Sequence, residues 1–205
     1  VIGFPKDKYD VLAEPGKSYA AGTKIFDRVP TAQKLNDAKI AIQAAERAHL
    51  NTVDLDMLID VHAIKSGDAH TAENDIAQVV EGVKAYIQNG SFQHIKSAKV
   101  KVIVESPMLS DKELRLATKI VRRSKAMAIK TSTGFCPRKT TAHQVRIITA
   151  LIGHTKLIKV SGGVSENNFM RLKKAGGDIF GMSRTRDLKK ALNHRHRAVT
   201  HRTAA

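Results

Sequence analysis

The chain has 205 residues, of which 42% are hydrophobic and 26% charged, and its formal net charge is +16 at pH 7. This composition is typical of a globular protein. No run of about 18 apolar residues is present, which excludes a membrane-spanning helix, and a single cysteine excludes a disulfide-stapled secreted module and favours a reducing compartment. Residues 1–100 hold 12 basic and 13 acidic residues, whereas residues 101–205 hold 23 and 6. This asymmetry indicates a polyanionic partner: nucleic acid, phosphorylated ligands or an anionic membrane surface.

Short apolar runs alternate with amphipathic helical stretches along the chain. The predicted strands cover about residues 1–4, 53–59, 100–104, 127–129, 157–160 and 178–181. The predicted helices cover about residues 31–50, 68–88, 111–125, 141–152 and 164–174, and Thr31 is a candidate cap for the first of them. Residues 5–30, which contain three prolines, are predicted to be an inserted loop, and residues 184–205 a basic C-terminal helix and tail.

Strict alternation of strands and helices favours a parallel sheet covered by helices. Asp54 and Asp56 share one strand face, and two strands end in a lysine, Lys130 and Lys159. Polar residues at the carboxyl ends of parallel strands build the active sites of barrel enzymes, which have eight strands in about 250 residues. We therefore predict an α/β domain over residues 1–183 of the (β/α)8 TIM-barrel type. About six β/α units are present, and the first two strands are missing.

The two strand-end lysines are candidates for chemistry. On adjacent strands of a barrel, Lys130 and Lys159 would both point into its mouth, and two ammonium groups held close together lower the pKa of one of them. A neutral amine attacks carbonyls and forms a Schiff base. With Asp56 relaying protons through a water molecule, the three residues constitute a Schiff-base aldolase set. The alternative is that both are surface lysines among the 35 basic residues.

Small residues follow the last two predicted strands. Gly162-Gly163, before a predicted helix, lets backbone amides approach an anion, and the dipole of that helix would favour it. Gly181 and Ser183 follow the last strand, and barrel enzymes often bind phosphate at these two loops. The sequence therefore predicts a phosphate site, with a plain turn at Gly162-Gly163 as the alternative.

Several segments carry a resemblance to a known family. They are Val1-Ile2-Gly3-Phe4-Pro5, Asp56-Met57 with Ala63-Ile64-Lys65-Ser66-Gly67-Asp68, Lys130-Thr131-Ser132-Thr133-Gly134-Phe135, Lys159 with Ser161-Gly162-Gly163-Val164, and Gly181-Met182-Ser183. Through them the chain resembles the deoxyribose-phosphate aldolase family, the class I (Schiff-base) aldolases with a (β/α)8 barrel. The segment that begins at Lys130 is the most specific of the matches.

The resemblance implies reversible cleavage of 2-deoxy-D-ribose 5-phosphate to acetaldehyde and D-glyceraldehyde 3-phosphate, with no metal or organic cofactor. It implies that Lys130 forms the Schiff base, that Lys159 lowers the pKa of Lys130 and that Asp56 relays protons. The phosphate of this small sugar substrate would bind to Gly162, Gly163, Gly181 and Ser183. Thr133 and Gly134 would make further substrate contacts.

The positive charge exceeds what a small phosphorylated sugar needs, so a second function stays open. The chain could be an aldolase-derived, catalytically vestigial RNA-binding subunit of a large ribonucleoprotein, such as a mitochondrial ribosome. Its candidate polyanion-binding residues are Arg122, Arg123, Arg184, Arg186, Lys189, Lys190, Arg195 and Arg197. For either function we expect an intracellular protein, cytoplasmic or mitochondrial, that acts away from membranes and forms a homo- or hetero-oligomer.

Overall fold

The computed structural model describes residues 29–182. The predicted strand at residues 1–4, the inserted loop up to residue 28 and the C-terminal segment 184–205 lie outside these residues. The helices are α1 (Thr31–Arg47), α2 (Val61–Ser66), α3 (Ala69–Asn89), α4 (Asp111–Arg123), α5 (Ala142–Ile152) and α6 (Phe169–Lys174). The strands are β1 (Thr52–Leu58), β2 (Ser97–Ile103), β3 (Ala128–Lys130), β4 (Leu157–Val160) and β5 (Ile179–Phe180).

The five strands form one curled sheet in the order β1-β2-β3-β4-β5, and every neighbouring pair is parallel. Helices lie between consecutive strands along the chain. This arrangement is a partial (β/α) barrel, which confirms the predicted fold class. The barrel matters for function because it brings the carboxyl ends of all five strands to one rim.

The two faces of the sheet differ in chemistry. Val53, Leu55 and Met57 alternate with Asp54 and Asp56 along β1, and the three apolar side chains join the buried core formed with the helices. The inner face carries the polar residues, because successive side chains on a strand point to opposite faces. In β2, β3 and β4, the inner positions in register with those of β1 include three lysines, at 101, 130 and 159.

Side-chain caps define where several helices begin. Ser110 and Glu113 form a reciprocal capping box at the start of α4, and Thr141 and Gln144 form another at the start of α5. Each box satisfies backbone N–H groups that have no partner within the helix. The predicted cap at Thr31 is wrong: α1 already includes Thr31, whose hydroxyl donates to the Asp75 carboxylate on α3 instead.

Of the other predicted boundaries, most agree within a few residues. The prediction omitted α2, a helix of six residues that the Asp60 side chain caps. It also began the helix after Gly163 too early, since α6 begins only at Phe169. Within residues 29–182, no helix combines the length and apolarity that crossing a membrane would need.

Candidate active site

Lys130, Lys159 and Asp56 meet inside the partial barrel. Lys130, the last residue of β3, is the register partner of Lys159, the next-to-last residue of β4, and both side chains lie on the inner face. Asp56 Oδ2 accepts hydrogen bonds from Lys130 Nζ at 2.9 Å and from Lys159 Nζ at 2.7 Å. The exposed fractions are 4% for Lys130, 7% for Lys159 and 4% for Asp56. The structure therefore brings together the three residues predicted to be catalytic, in an environment shielded from water.

Burial perturbs the ionisation of this cluster. Burial lowers the pKa of Lys130 below its ordinary value against the raising effect of the Asp56 charge, and the Lys159 charge adds to the lowering. Burial also raises the pKa of Asp56, but the charges and hydrogen bonds of both lysines outweigh it and hold the pKa below the ordinary value. The Lys159 charge, the predicted cause of the lowered pKa at Lys130, contributes to it, but desolvation is the larger cause.

Two polar atoms near this cluster are buried without a well-aligned hydrogen-bond partner among residues 29–182. They are Asp56 Oδ1 and Lys101 Nζ. Lys101, 1% exposed, is the register partner of Asp56, and its Nζ lies 2.6 Å from Asp54 Oδ2 as an ion pair. Unsatisfied buried polar atoms are rare in proteins, and a catalytic role or an ordered water molecule often accounts for them.

Sequence reasoning did not select Lys101 as a site residue, because the alternation of Lys99 and Lys101 with Val100 and Val102 shows a shared face but not what that face meets. Lys101 and Ile103 are two residues apart on β2 and therefore share a face, and the register places that face beside Asp56 and Lys130. A lysine at an inner position of a barrel strand is as good a candidate as one at a strand end.

The loop after β4 contains two consecutive glycines in the left-handed region, Gly162 with φ +91° and Gly163 with φ +74°. Side chains rarely adopt this conformation, so glycine is required here. Among residues 29–182, neither backbone N–H of this pair donates to a protein acceptor. Because α6 begins six residues after Gly163, the helix N-terminus predicted for this loop does not lie at it. Anion binding here would rest on the loop amides alone.

At the other predicted substrate-binding positions that the structure describes, the N–H and hydroxyl groups already donate hydrogen bonds within the protein. The Thr133 N–H and hydroxyl both donate to Glu105, and the Gly134 N–H donates to the Ser132 hydroxyl. The Gly181 N–H donates to the Val160 carbonyl oxygen at 2.8 Å. Ser183 lies outside the described residues. The substrate-binding roles of these four residues therefore stay predictions.

Glu105 is a second residue that sequence reasoning missed. It lies two residues after the end of β2, much as small polar residues follow β3 and β4, and it is fully buried. Its backbone has φ +50°, a left-handed conformation that costs a residue with a side chain about 1–2 kcal/mol. The same signal that selected Lys130, a polar residue at the carboxyl end of a strand, would have found it.

The predicted polyanion-binding residues lie mostly outside the described part of the chain. Of the eight, only Arg122 and Arg123 are within residues 29–182, both at the end of α4. Arg123 forms an ion pair with Glu73 of α3, and the nearby Lys125 pairs with Glu81 at 2.7 Å. These acidic partners offset part of the positive charge of α4, and RNA binding stays a prediction.

Comparison with curated proteins identifies relatives with one shared name. Desulfitobacterium hafniense (strain DSM 10664 / DCB-2) has a deoxyribose-phosphate aldolase that is 31% identical over 155 residues, which is 75% of this chain and 66% of the relative. The protein of that name from Malacoplasma penetrans is 33% identical over 143 residues, or 69% of this chain and 59% of the relative. The chain thus spans about three-fifths to two-thirds of the length of these relatives. No family model matches the chain.

Solved structures agree with this result. The aldolase QR15 superposes with a TM-score of 0.69 at 27% identity, over 83% of this chain and 70% of QR15. A tetrameric deoxyribose phosphate aldolase from Aeropyrum pernix superposes with a TM-score of 0.64 at 26% identity, over 82% of this chain and 64% of that protein. The fold and the sequence therefore point to the same relatives.

Proposed function

We propose, from the homology of this chain to the deoxyribose-phosphate aldolases, that it is a class I aldolase acting on 2-deoxy-D-ribose 5-phosphate. The observation that carries the proposal is the buried cluster in which Lys130 and Lys159 both donate to one oxygen of Asp56. Two buried amines on one carboxylate exceed what charge neutrality needs, and desolvation favours a neutral amine at Lys130.

The reaction follows from these groups. Lys130 Nζ attacks the C1 aldehyde of the open-chain sugar, and loss of water gives a protonated imine. Removal of the C3 hydroxyl proton breaks the C2–C3 bond, releases D-glyceraldehyde 3-phosphate and leaves an enamine on Lys130. Protonation at C2 and hydrolysis of the imine then release acetaldehyde and restore the amine.

Asp56 is the proposed proton relay for these steps. Its Oδ1 is buried and has no hydrogen-bond partner among residues 29–182, so it can accept from a water molecule or from the substrate hydroxyl. Lys159, bonded to the other oxygen, holds the carboxylate in place and supplies a positive charge beside it. Such positioned acid–base groups typically accelerate a reaction about 10²–10⁴-fold.

The sugar phosphate is proposed to bind at Gly162 and Gly163. Both glycines have a left-handed backbone, and among residues 29–182 neither N–H group donates a hydrogen bond. These two features support the binding of an anion at this loop. Ser161, which precedes the loop, follows β4 directly, so the loop starts one residue after the strand that carries Lys159. The aldehyde and phosphate ends of one small substrate would thus be held by neighbouring elements of the same rim.

Trapping of the imine is the first test. Incubation of the protein with acetaldehyde and sodium borohydride is expected to reduce the imine to a stable secondary amine that adds two carbons to Lys130. Peptide mass spectrometry of the folded protein locates the modified lysine. Modification spread over surface lysines, with none at Lys130, would contradict the proposal.

Replacement of Asp56 separates imine formation from bond cleavage. In Asp56→Asn, the carboxylate charge that raises the pKa of Lys130 is gone, so the amine stays neutral and borohydride trapping is expected to persist. Cleavage of 2-deoxyribose 5-phosphate should fall about 10²–10⁴-fold because the proton relay is lost. Steady-state cleavage and trapping are measured on the same sample. Full cleavage activity in this variant would exclude Asp56 as the relay.

A further inference from the structure

Glu105 is a buried carboxylate that the proposed chemistry does not use. Ser132 Oγ, Thr133 N–H and Thr133 Oγ1 all donate to it, the last two at 3.0 and 2.6 Å. No lysine, arginine or histidine of residues 29–182 forms an ion pair with it. Its polar contacts are thus directed entirely at the loop that follows Lys130.

The backbone around Glu105 is joined to that same segment. The Val104 N–H donates to the Lys130 carbonyl oxygen at 2.9 Å, and the Ser106 N–H donates to the Thr131 carbonyl oxygen at 2.6 Å. Between these two hydrogen bonds, the backbone of Glu105 adopts the left-handed conformation. Strained conformations of this kind persist where the surroundings over-determine them, and they concentrate at functional sites.

A chain of direct contacts leads from Glu105 to the glycine loop. Ser132, whose hydroxyl donates to Glu105, accepts a hydrogen bond at its carbonyl oxygen from Ser161 Oγ at 2.6 Å. A Cβ on Gly162 would lie 2.9 Å from the Cβ of Ser132, so the two residues are packed against each other. Ser132 thus connects Glu105 with the loop after β4 through direct contacts.

We infer that Glu105 is a positioning residue that sets the glycine loop at a fixed place relative to Lys130, and thereby selects phosphorylated over unphosphorylated aldehyde substrates. This inference rests on the proposed function. Glu105 touches neither the reacting amine nor the glycines, and acts through Ser132 and Thr133. Loss of the hydrogen bonds that Glu105 accepts should weaken binding of the substrate phosphate, while Lys130 should still form the imine.

The test compares 2-deoxyribose 5-phosphate with 2-deoxyribose in the unaltered protein and in Glu105→Gln. The amide offers one acceptor oxygen where the carboxylate offers two, so one part of the loop loses its partner. We expect KM for the phosphorylated sugar to rise about tenfold or more, the range for a lost hydrogen bond to a charged group. The Glu105 charge also helps to raise the pKa of Lys130, so the assays are run at a pH where the Lys130 amine is neutral in both proteins. Under that condition, kcat/KM for 2-deoxyribose and trapping of acetaldehyde on Lys130 should stay unchanged.

Two further variants make the outcome decisive. Ser132→Ala removes the hydroxyl that donates to Glu105 but keeps the backbone carbonyl that accepts from Ser161. The same selective rise in KM for the phosphorylated sugar is expected. This variant provides the test if Glu105→Gln does not fold. Glu81→Gln, a surface glutamate paired with Lys125, is the matched control and should match the unaltered protein.

If Glu105→Gln lowers kcat/KM equally for 2-deoxyribose 5-phosphate and 2-deoxyribose, or leaves both values unchanged, the proposed role of Glu105 is wrong. Absence of cleavage and of a Lys130 adduct in the unaltered protein would instead overturn the proposed function itself, and this inference with it. Comparing the unaltered protein with the variant therefore tells the two failures apart.

Discussion

Lys130→Ala is expected to abolish cleavage of 2-deoxyribose 5-phosphate. The proposed reaction proceeds through a covalent bond to this amine, and water offers no equivalent electron sink for the breaking C2–C3 bond. Loss of a covalent nucleophile costs about 10⁴-fold or more in kcat. Lys159 lies on the adjacent strand and binds the same carboxylate oxygen, but it is not expected to take over, because its amine approaches Asp56 from β4 and not from the position of Lys130 on β3.

This measurement combines a cleavage assay with borohydride trapping and a thermal unfolding curve. The variant should remain folded, since Asp56 keeps Lys159 as its ionic partner. Lys125→Ala, which removes a surface lysine paired with Glu81, serves as the control for loss of one positive charge and should retain full activity. Cleavage by folded Lys130→Ala at more than a few percent of the original rate would remove this residue from the mechanism.

Lys159→Met is expected to shift the pH dependence of the reaction toward alkaline pH. The Lys159 charge lowers the pKa of Lys130, so its removal raises that pKa, and Asp56 then acts on Lys130 alone in the same direction. Because only the neutral amine attacks the aldehyde, the rate rises with pH through the pKa of Lys130. The acidic limb of the profile therefore moves to higher pH, and activity at pH 7 should fall by about tenfold or more, as expected for the removal of one nearby charge.

The profile of kcat/KM against pH is the measurement that tests this effect. Partial recovery of activity at alkaline pH in Lys159→Met, with no such recovery in Lys130→Ala, is the expected pattern. Methionine is unbranched and of similar length, so it limits changes in packing. A uniform loss at every pH would mean that Lys159 acts through the position of Asp56 and not through its charge on Lys130.

The order of strands and helices in residues 29–182 followed from local patterns. β4 was predicted at 157–160, the residues the structure assigns to it, because a short apolar run between polar breaks has few alternatives. The predicted start of the helix at residue 111 agrees with α4, and the structure shows that the Ser110 side chain caps it there. The short helix α2 escaped prediction, since six residues carry too little periodicity to detect.

Local composition was enough to place Lys130 and Lys159 at or near the carboxyl ends of two strands in a β/α fold, because short apolar runs and the polar breaks after them can be read along the chain. Three features of the site depend on the folded arrangement and have no local signal: one oxygen of Asp56 binds both amines, Lys101 lies beside them on the inner face, and Glu105 binds the loop after Lys130. Strand register and the curl of the sheet set these distances. Desolvation, the main cause of the lowered pKa at Lys130, exists only once the surrounding elements are packed.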